Sequence, residues 1–216
     1  KTMRKKLSLI ACGLILSTSS VFAESTLEDA FKAGKASGDI SVYSDSKDNS
    51  TGVNAGFTAG TIGVTYETGT FYNLNAKASF RAGHKFDETE NNDYKGSFTQ
   101  NSVMNEALIK YSRDSFSLSV GRQAVDYEWI TKYAEGAIAE ITAIPNTTLT
   151  LGFADRRAKA DVDEITAFVD VNKDGIYFID AKIGGVEGLE IKPYYYSMPK
   201  LADVYGIRAA YSNGMF

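Results

Sequence analysis

Basic residues Lys77, Arg81, Lys110, Lys182, Lys192 and Arg208 and acidic residues Asp39, Glu67, Glu106, Glu140, Asp180 and Glu190 share one setting. Each stands in a run in which apolar side chains take every second position. A strand sends successive side chains to opposite faces, so the charges of each run collect on one face. Two kinds of chemistry follow. Cations lining a wet lumen could guide anions, or the acids and bases could neutralise one another across neighbouring strands; their similar numbers favour neutralisation. A packed sandwich core could not bury such charges, whereas a water-filled lumen can hold them.

A second group follows Gly121: Arg122, then Tyr127, Glu128, Trp129, Lys132, Tyr133 and Glu135. A loop folded against a barrel wall would bury this aromatic surface and would set charges of both signs across a constriction. Strict alternation puts Arg122 outward with Val120 unless the strand ends or bulges at Gly121. The plain alternative is an ordinary extracellular loop. Asp170-x-Asn172-x-Asp174-Gly175 imitates the start of a calcium loop, but position twelve is Ala181 where a bidentate Glu is needed, so a turn ending at Gly is the better reading and no metal is assigned. His84, the sole histidine, has no evident Ser or Cys partner. No catalysis and no cofactor are assigned.

The elements that must position these residues are read from period-two alternation. In Gly60–Gly83, Ile62, Val64 and Tyr66 alternate with polar or small residues, and Leu74, Ala76, Ala78, Phe80 and Ala82 alternate with Asn75, Lys77, Ser79, Arg81 and Gly83. This predicts a hairpin turning at 68–73, with one apolar and one wet face. Further strands are predicted near 37–45, 105–111, 115–121, 136–143, 148–155, 176–183, 189–198 and 204–212, about ten in all. Thr26 to Ala33 reads as a short capped helix ended by Gly34. Connections alternate between short (68–73, 112–114, 144–147, 184–188) and long (45–56, 85–104, 124–135, 156–175), with 199–203 a short exception. Short periplasmic and long extracellular connections are the rhythm of an outer-membrane barrel. The reading is therefore all-β, a transmembrane antiparallel β-barrel.

Arg4-Lys5-Lys6, the apolar run Leu7–Leu16 and Val21-Phe22-Ala23 have the layout of a secretory signal peptide covering residues 1–23, followed by a periplasmic lead-in over 24–36. Leu9-Ile10-Ala11-Cys12 also imitates a lipoprotein site, with too little apolar sequence before it. Cleavage after Ala23 removes Cys12, the single cysteine, and with it disulfide or thiol chemistry. It also removes Lys1, Arg4, Lys5 and Lys6, leaving 19 basic against 27 acidic residues, so nucleic acid is an unsuitable partner.

The stretches LEDAFKAGKASGDI, YETGTFYNLNAKASF, NEALIKYSRDSFSLSVGRQ and IPNTTLTLGF, in this order and spacing, resemble the Opr-type outer-membrane porins of epsilon-class proteobacteria, relatives of the OprD channels. That resemblance covers the mature sequence to about Phe153 and more loosely the rest. It implies a passive channel for small hydrophilic solutes and ions, with outer-membrane lipid as surroundings and a homo-oligomer allowed. It also implies a barrel of roughly 16 to 18 strands, of which residues 37–216 would be the N-terminal part, because Ser212-Asn213-Gly214 reads as another turn. It places the constriction in 122–135. The alternative is a small, closed, ten-stranded barrel acting as an adhesin or enzyme. Sequencing of the mature N-terminus should read Glu-Ser-Thr-Leu; a lipid-blocked terminus would exclude cleavage after Ala23.

Overall fold

A computed structural model describes residues 3–11, 26–50 and 52–212. Its elements are β1 (Met3–Ala11), α1 (Leu27–Lys32), β2 (Lys35–Asp48), β3 (Ala55–Glu67), β4 (Leu74–Glu88), α2 (Asp93–Ser97), β5 (Ser102–Arg113), β6 (Phe116–Asp126), β7 (Thr131–Ile141), β8 (Thr147–Ala158), β9 (Val169–Asp170), β10 (Ile176–Val186), β11 (Leu189–Met198) and β12 (Ala202–Tyr211). The fold is all-β and antiparallel. Strands pair in chain order, except that β9 and β10 both pair with β8. No helix among the described residues is long and apolar enough to cross a membrane.

Local chemistry accounts for the connections. Thr26 caps α1, its Oγ1 accepting from the Asp29 N–H at 3.1 Å, with Glu28 and Asp29 in the first turn and Lys32 in the last. The β3–β4 turn places Tyr72 and Asn73 at φ 48° and 65°, left-handed geometry that Asn tolerates. Asp114, at φ 50°, does the same between β5 and β6.

The chain divides into two compact units. The first comprises Lys1–Phe71, Lys77–Ala107 and Ala158–Ala167. Here β2 and β3 pair without interruption from Lys35↔Glu67 to Lys47↔Ala55, and β3 pairs with β4 with one shift at Thr58/Ala59. One face is apolar and open: Ile40, Val42, Ile62, Val64 and Phe80 are exposed, Ile40 at 62%. The opposite face buries Ser41 (1%), Thr61, Ser79, Asn105 and Glu106. That is the reverse of a soluble sheet, which turns its apolar face to a core. The same buried face carries an aromatic cluster. Tyr43 packs on Phe57, Phe57 meets Tyr94 of α2 and Phe98, and the Tyr94 and Phe98 rings stack at 4.4 Å. The 89–101 connection therefore lies against the sheet. Ile165 pins it: its N–H donates to the Ser97 carbonyl at 3.1 Å, and the Gln100 N–H donates to the Ile165 carbonyl at 3.3 Å.

The second unit comprises Tyr72–Ala76, Leu108–Arg157 and Phe168–Phe216. Its polarity is divided in the same way. Leu118, Val120, Leu151, Ile179 and Ile207 are exposed, while Gln123, Thr150 and Asp180 are buried. On the buried face Val125, Ile130, Ala134, Ile138, Ala154, Ile176, Phe178 and Tyr196 form one apolar cluster.

Two expectations change. The 124–135 segment, expected as a long loop, is mostly strand: β6 and β7 stay paired up to Asp126↔Thr131, leaving Tyr127–Ile130 as the turn. Cross-strand bonding there satisfies backbone groups that a loop would leave to solvent. The buried face is not uniformly polar, since an apolar cluster sits on it in the second unit and an aromatic one in the first. Met3–Ala11, within the stretch read as a secretory leader, pairs along β2 from Met3↔Asp48 to Ala11↔Ile40. An extended segment beside an open strand edge satisfies that edge's N–H and C=O groups. The cleavage site at Val21–Ala23, Cys12 and Asn213–Phe216 lie outside the described residues. Phe178→Ala should cost about 3–5 kcal/mol in urea unfolding, and Ile179→Ala, on the open face, should cost clearly less.

Candidate pore face and constriction

Of the charged residues expected on one face of the strands, Glu106 and Asp180 are buried, Glu67, Lys182 and Arg208 are exposed and the others are half-buried; most are in ion pairs. Lys77 Nζ sits 3.0 Å from Glu106 Oε2, and Arg81 holds Asp39 through both guanidinium nitrogens, at 2.6 and 3.0 Å. Thr61 accepts a further bond from Arg81, and the Asn105 amide donates to Ser79. Glu67 lies cross-strand from Lys77 in the β3–β4 register. In the second unit Lys182 and Lys192 share Glu190, at 2.6 and 3.1 Å, and Asp180 accepts from the Tyr196 hydroxyl at 2.8 Å. Lys110 is half-buried, on the parity opposite exposed Ile109.

The residues of the expected constriction divide into two groups, and the divide is a bend. Ser119 Oγ donates to Gln123 Oε1. In a straight strand, positions four residues apart are about 13 Å apart, so this contact requires β6 to fold sharply between them. Gly121 lies there, at φ 123°, directly opposite Gly136 on β7. A side chain at Gly121 would be strained, and a Cβ at Gly136 would fall 1.9 Å from the Phe153 carbonyl oxygen. Two paired glycines thus let a whole hairpin turn.

Beyond the bend the hairpin meets the face that carries Glu140 and Phe178. The Tyr127 ring packs 5.1 Å from that of Phe178, and its hydroxyl donates to Glu140 at 3.5 Å. Burial, reinforced by the Glu140 carboxylate, pushes the Tyr127 phenol up to about 12, so it remains a donor at neutral pH. Ile130 is buried in the apolar cluster, and Glu128 accepts from Arg208 of β12 at 3.2 Å. Trp129 stays exposed.

Arg122 and Glu135 fall in the other group. They pair at 2.9 Å, with Arg156 3.6 Å from the same carboxylate oxygen and Phe168 beneath the Arg122 guanidinium at 4.4 Å. Arg122 keeps the parity of Val120, as strict alternation predicts, and Tyr133 sits on that same face opposite Ala124. Lys132 is exposed at the start of β7, at φ 76°. Of the seven residues expected in a constriction, Tyr127 and Glu128 meet charged residues of the alternating series, Glu140 and Arg208. Val125, Ile130, Phe178, Tyr196 and the Gly121–Gly136 pair were missed, as were Arg156 and Phe168. The alternation of Gln123, Val125 and the later Ala134, Ile138 carried a signal, but only once the hairpin register is known.

The 170–175 segment behaves as a turn. The Gly175 N–H returns to the Asn172 carbonyl at 3.1 Å, Asp174 pairs with Lys200 and Asp170 lies 3.7 Å from Arg156. His84 borders a polar groove of about 630 Å³ with Lys85, Glu88, Tyr94, Lys95 and Asn101.

Glu106 is the more buried partner of Lys77, so removing the cation takes a hydrogen-bonded counter-charge from a buried carboxylate. Lys77→Met should lower unfolding stability by about 1–3 kcal/mol, and Lys77→Met with Glu106→Gln should recover most of the loss. An additive double variant would show that the pair carries no coupling.

Neither a curated protein nor a solved structure matches the chain. A family model does match, over residues 19–215, and the chain accordingly belongs to the family described as "Putative outer membrane protein".

Proposed function

We propose that this outer-membrane protein forms a water-filled channel for passive diffusion of small hydrophilic solutes and ions, narrowed by the β6–β7 hairpin. The observation that carries the reading is the inverted polarity of the strands. Exposed aliphatic rows suit lipid, and matched ion pairs on the opposite face suit water inside a barrel. The resemblance to Opr-type, OprD-like porins supports the same class. The hairpin supports a constriction, because its tip carries Tyr127 and Glu128 onto the face bearing Glu140, Asp180 and Arg208. Over the whole alternating series the six acids and six bases balance, which favours selection by size over strong selection by charge.

Purified protein carrying this sequence in its native reading frame, added to planar lipid bilayers, should give discrete conductance steps. Replacing Tyr127–Ile130 by Asn-Gly, which closes a two-residue hairpin, should raise single-channel conductance. Steps of unchanged size would remove the hairpin from the constriction. An absence of steps in the parent protein would overturn the channel reading and favour a closed barrel with a surface role.

A further inference from the structure

We propose that the ion pair Glu128–Arg208 tethers the tip of the β6–β7 hairpin to β12 and so fixes how far the hairpin extends over the pore face. Its consequence for conduction rests on the channel reading, but the tether itself does not.

Three observations converge. First, the hairpin must be held after it turns, because the Gly121–Gly136 pair that permits the bend supplies little to restrain it. Second, the apolar seat secures only part of the tip. Ile130 is buried and Tyr127 packs on Phe178, but Trp129 is 55% exposed and Glu128 reaches outward to a strand eighty residues away in sequence. Third, the electrostatics of β10–β12 call for an acid at that place. Arg208 is the direct cross-strand neighbour of Lys192, and the pairs Asp180↔Tyr194 and Ile183↔Ile191 set Lys182 opposite Lys192. Three cations therefore stand side by side on adjacent strands, an arrangement that repels. Glu190 contacts both lysines, and Glu128 answers Arg208. The Arg208 side chain is 61% exposed and that of Glu128 23%, so the cation stays hydrated when the pair is broken while the carboxylate loses its partner in a partly buried place. The pair acts as a positioning contact, with the apolar cluster as the seat it completes.

Trp129, the single tryptophan, adjoins Glu128 and reports the tip directly. In the refolded full chain, acrylamide quenching of Trp129 should increase in Glu128→Gln and in Arg208→Gln. It should return towards the parent value in the exchange Glu128→Arg with Arg208→Glu. Raising the parent protein to 1 M salt should move quenching in the same direction as the single variants. In bilayers the single variants should show larger or noisier conductance. Parent-like quenching in both single variants, or an exchange that quenches like either of them, overturns the tether. Absence of any conductance in the parent protein bears on the channel reading alone, since quenching is measured without it.

Discussion

Everything in this molecule depends on a strand having two faces and a period of two. A hydrophobic environment on one side and charged chemistry on the other can be served by the same short segment only if every second residue is assigned to each. Ile62 and Val64 are exposed beside buried Thr61, and Ile179 is exposed beside buried Asp180. A one-residue slip in any strand would carry an ion pair to the apolar side and aliphatic chains to the polar side. The continuous registers of β2 with β3 and of β11 with β12 preserve this division. The ion pairs follow from it, because charges confined to one face at a fixed spacing have the neighbouring strand as their nearest partner.

Much of this was legible because alternation is local. The faces of Lys77, Arg81, Asp180 and Lys182 can be read from the residues on either side, and Thr26 announces its helix through Asp29. Mutual neutralisation could be anticipated from composition, but not the choice of partner. Arg81 crosses two strands to Asp39, and Glu190 serves two lysines. The hairpin was less legible. Polar and aromatic residues near 124–135 imitate a loop, and only long-range packing shows that they continue as paired strands. Ile130 has no cue in its own neighbourhood that Phe178 and Tyr196 will cover it. The docking of Ile165 against Ser97 and Gln100 is likewise set by residues distant in sequence.

The apolar clusters on the buried face qualify the simplest picture of a lumen. A wet interior gives aromatic rings no reason to gather unless chain segments fold back to bury them. In the first unit α2 and the 159–167 segment do so around Phe57 and Phe98. In the second unit, the bent hairpin does so around Phe178 and Tyr196. Each insertion supplies its own apolar surface to match the one it covers. The inserted segments are thus structural parts of the wall they cover.

That distinction bears on how such a protein can vary. The strands are constrained at both faces, and a charge moved to the apolar face meets lipid at a cost of about 2–4 kcal/mol near the bilayer centre. The turn Tyr127–Ile130 is constrained at fewer points: Ile130 must be apolar, Tyr127 must fit against Phe178, and an acid at Glu128 suits Arg208. Trp129 faces outward and answers to none of these contacts. The tip can therefore vary in sequence while the division of faces stays fixed. The Gly121–Gly136 pair is where the two regimes meet, since it ends the geometry imposed by the sheet and begins that imposed by packing on the apolar cluster.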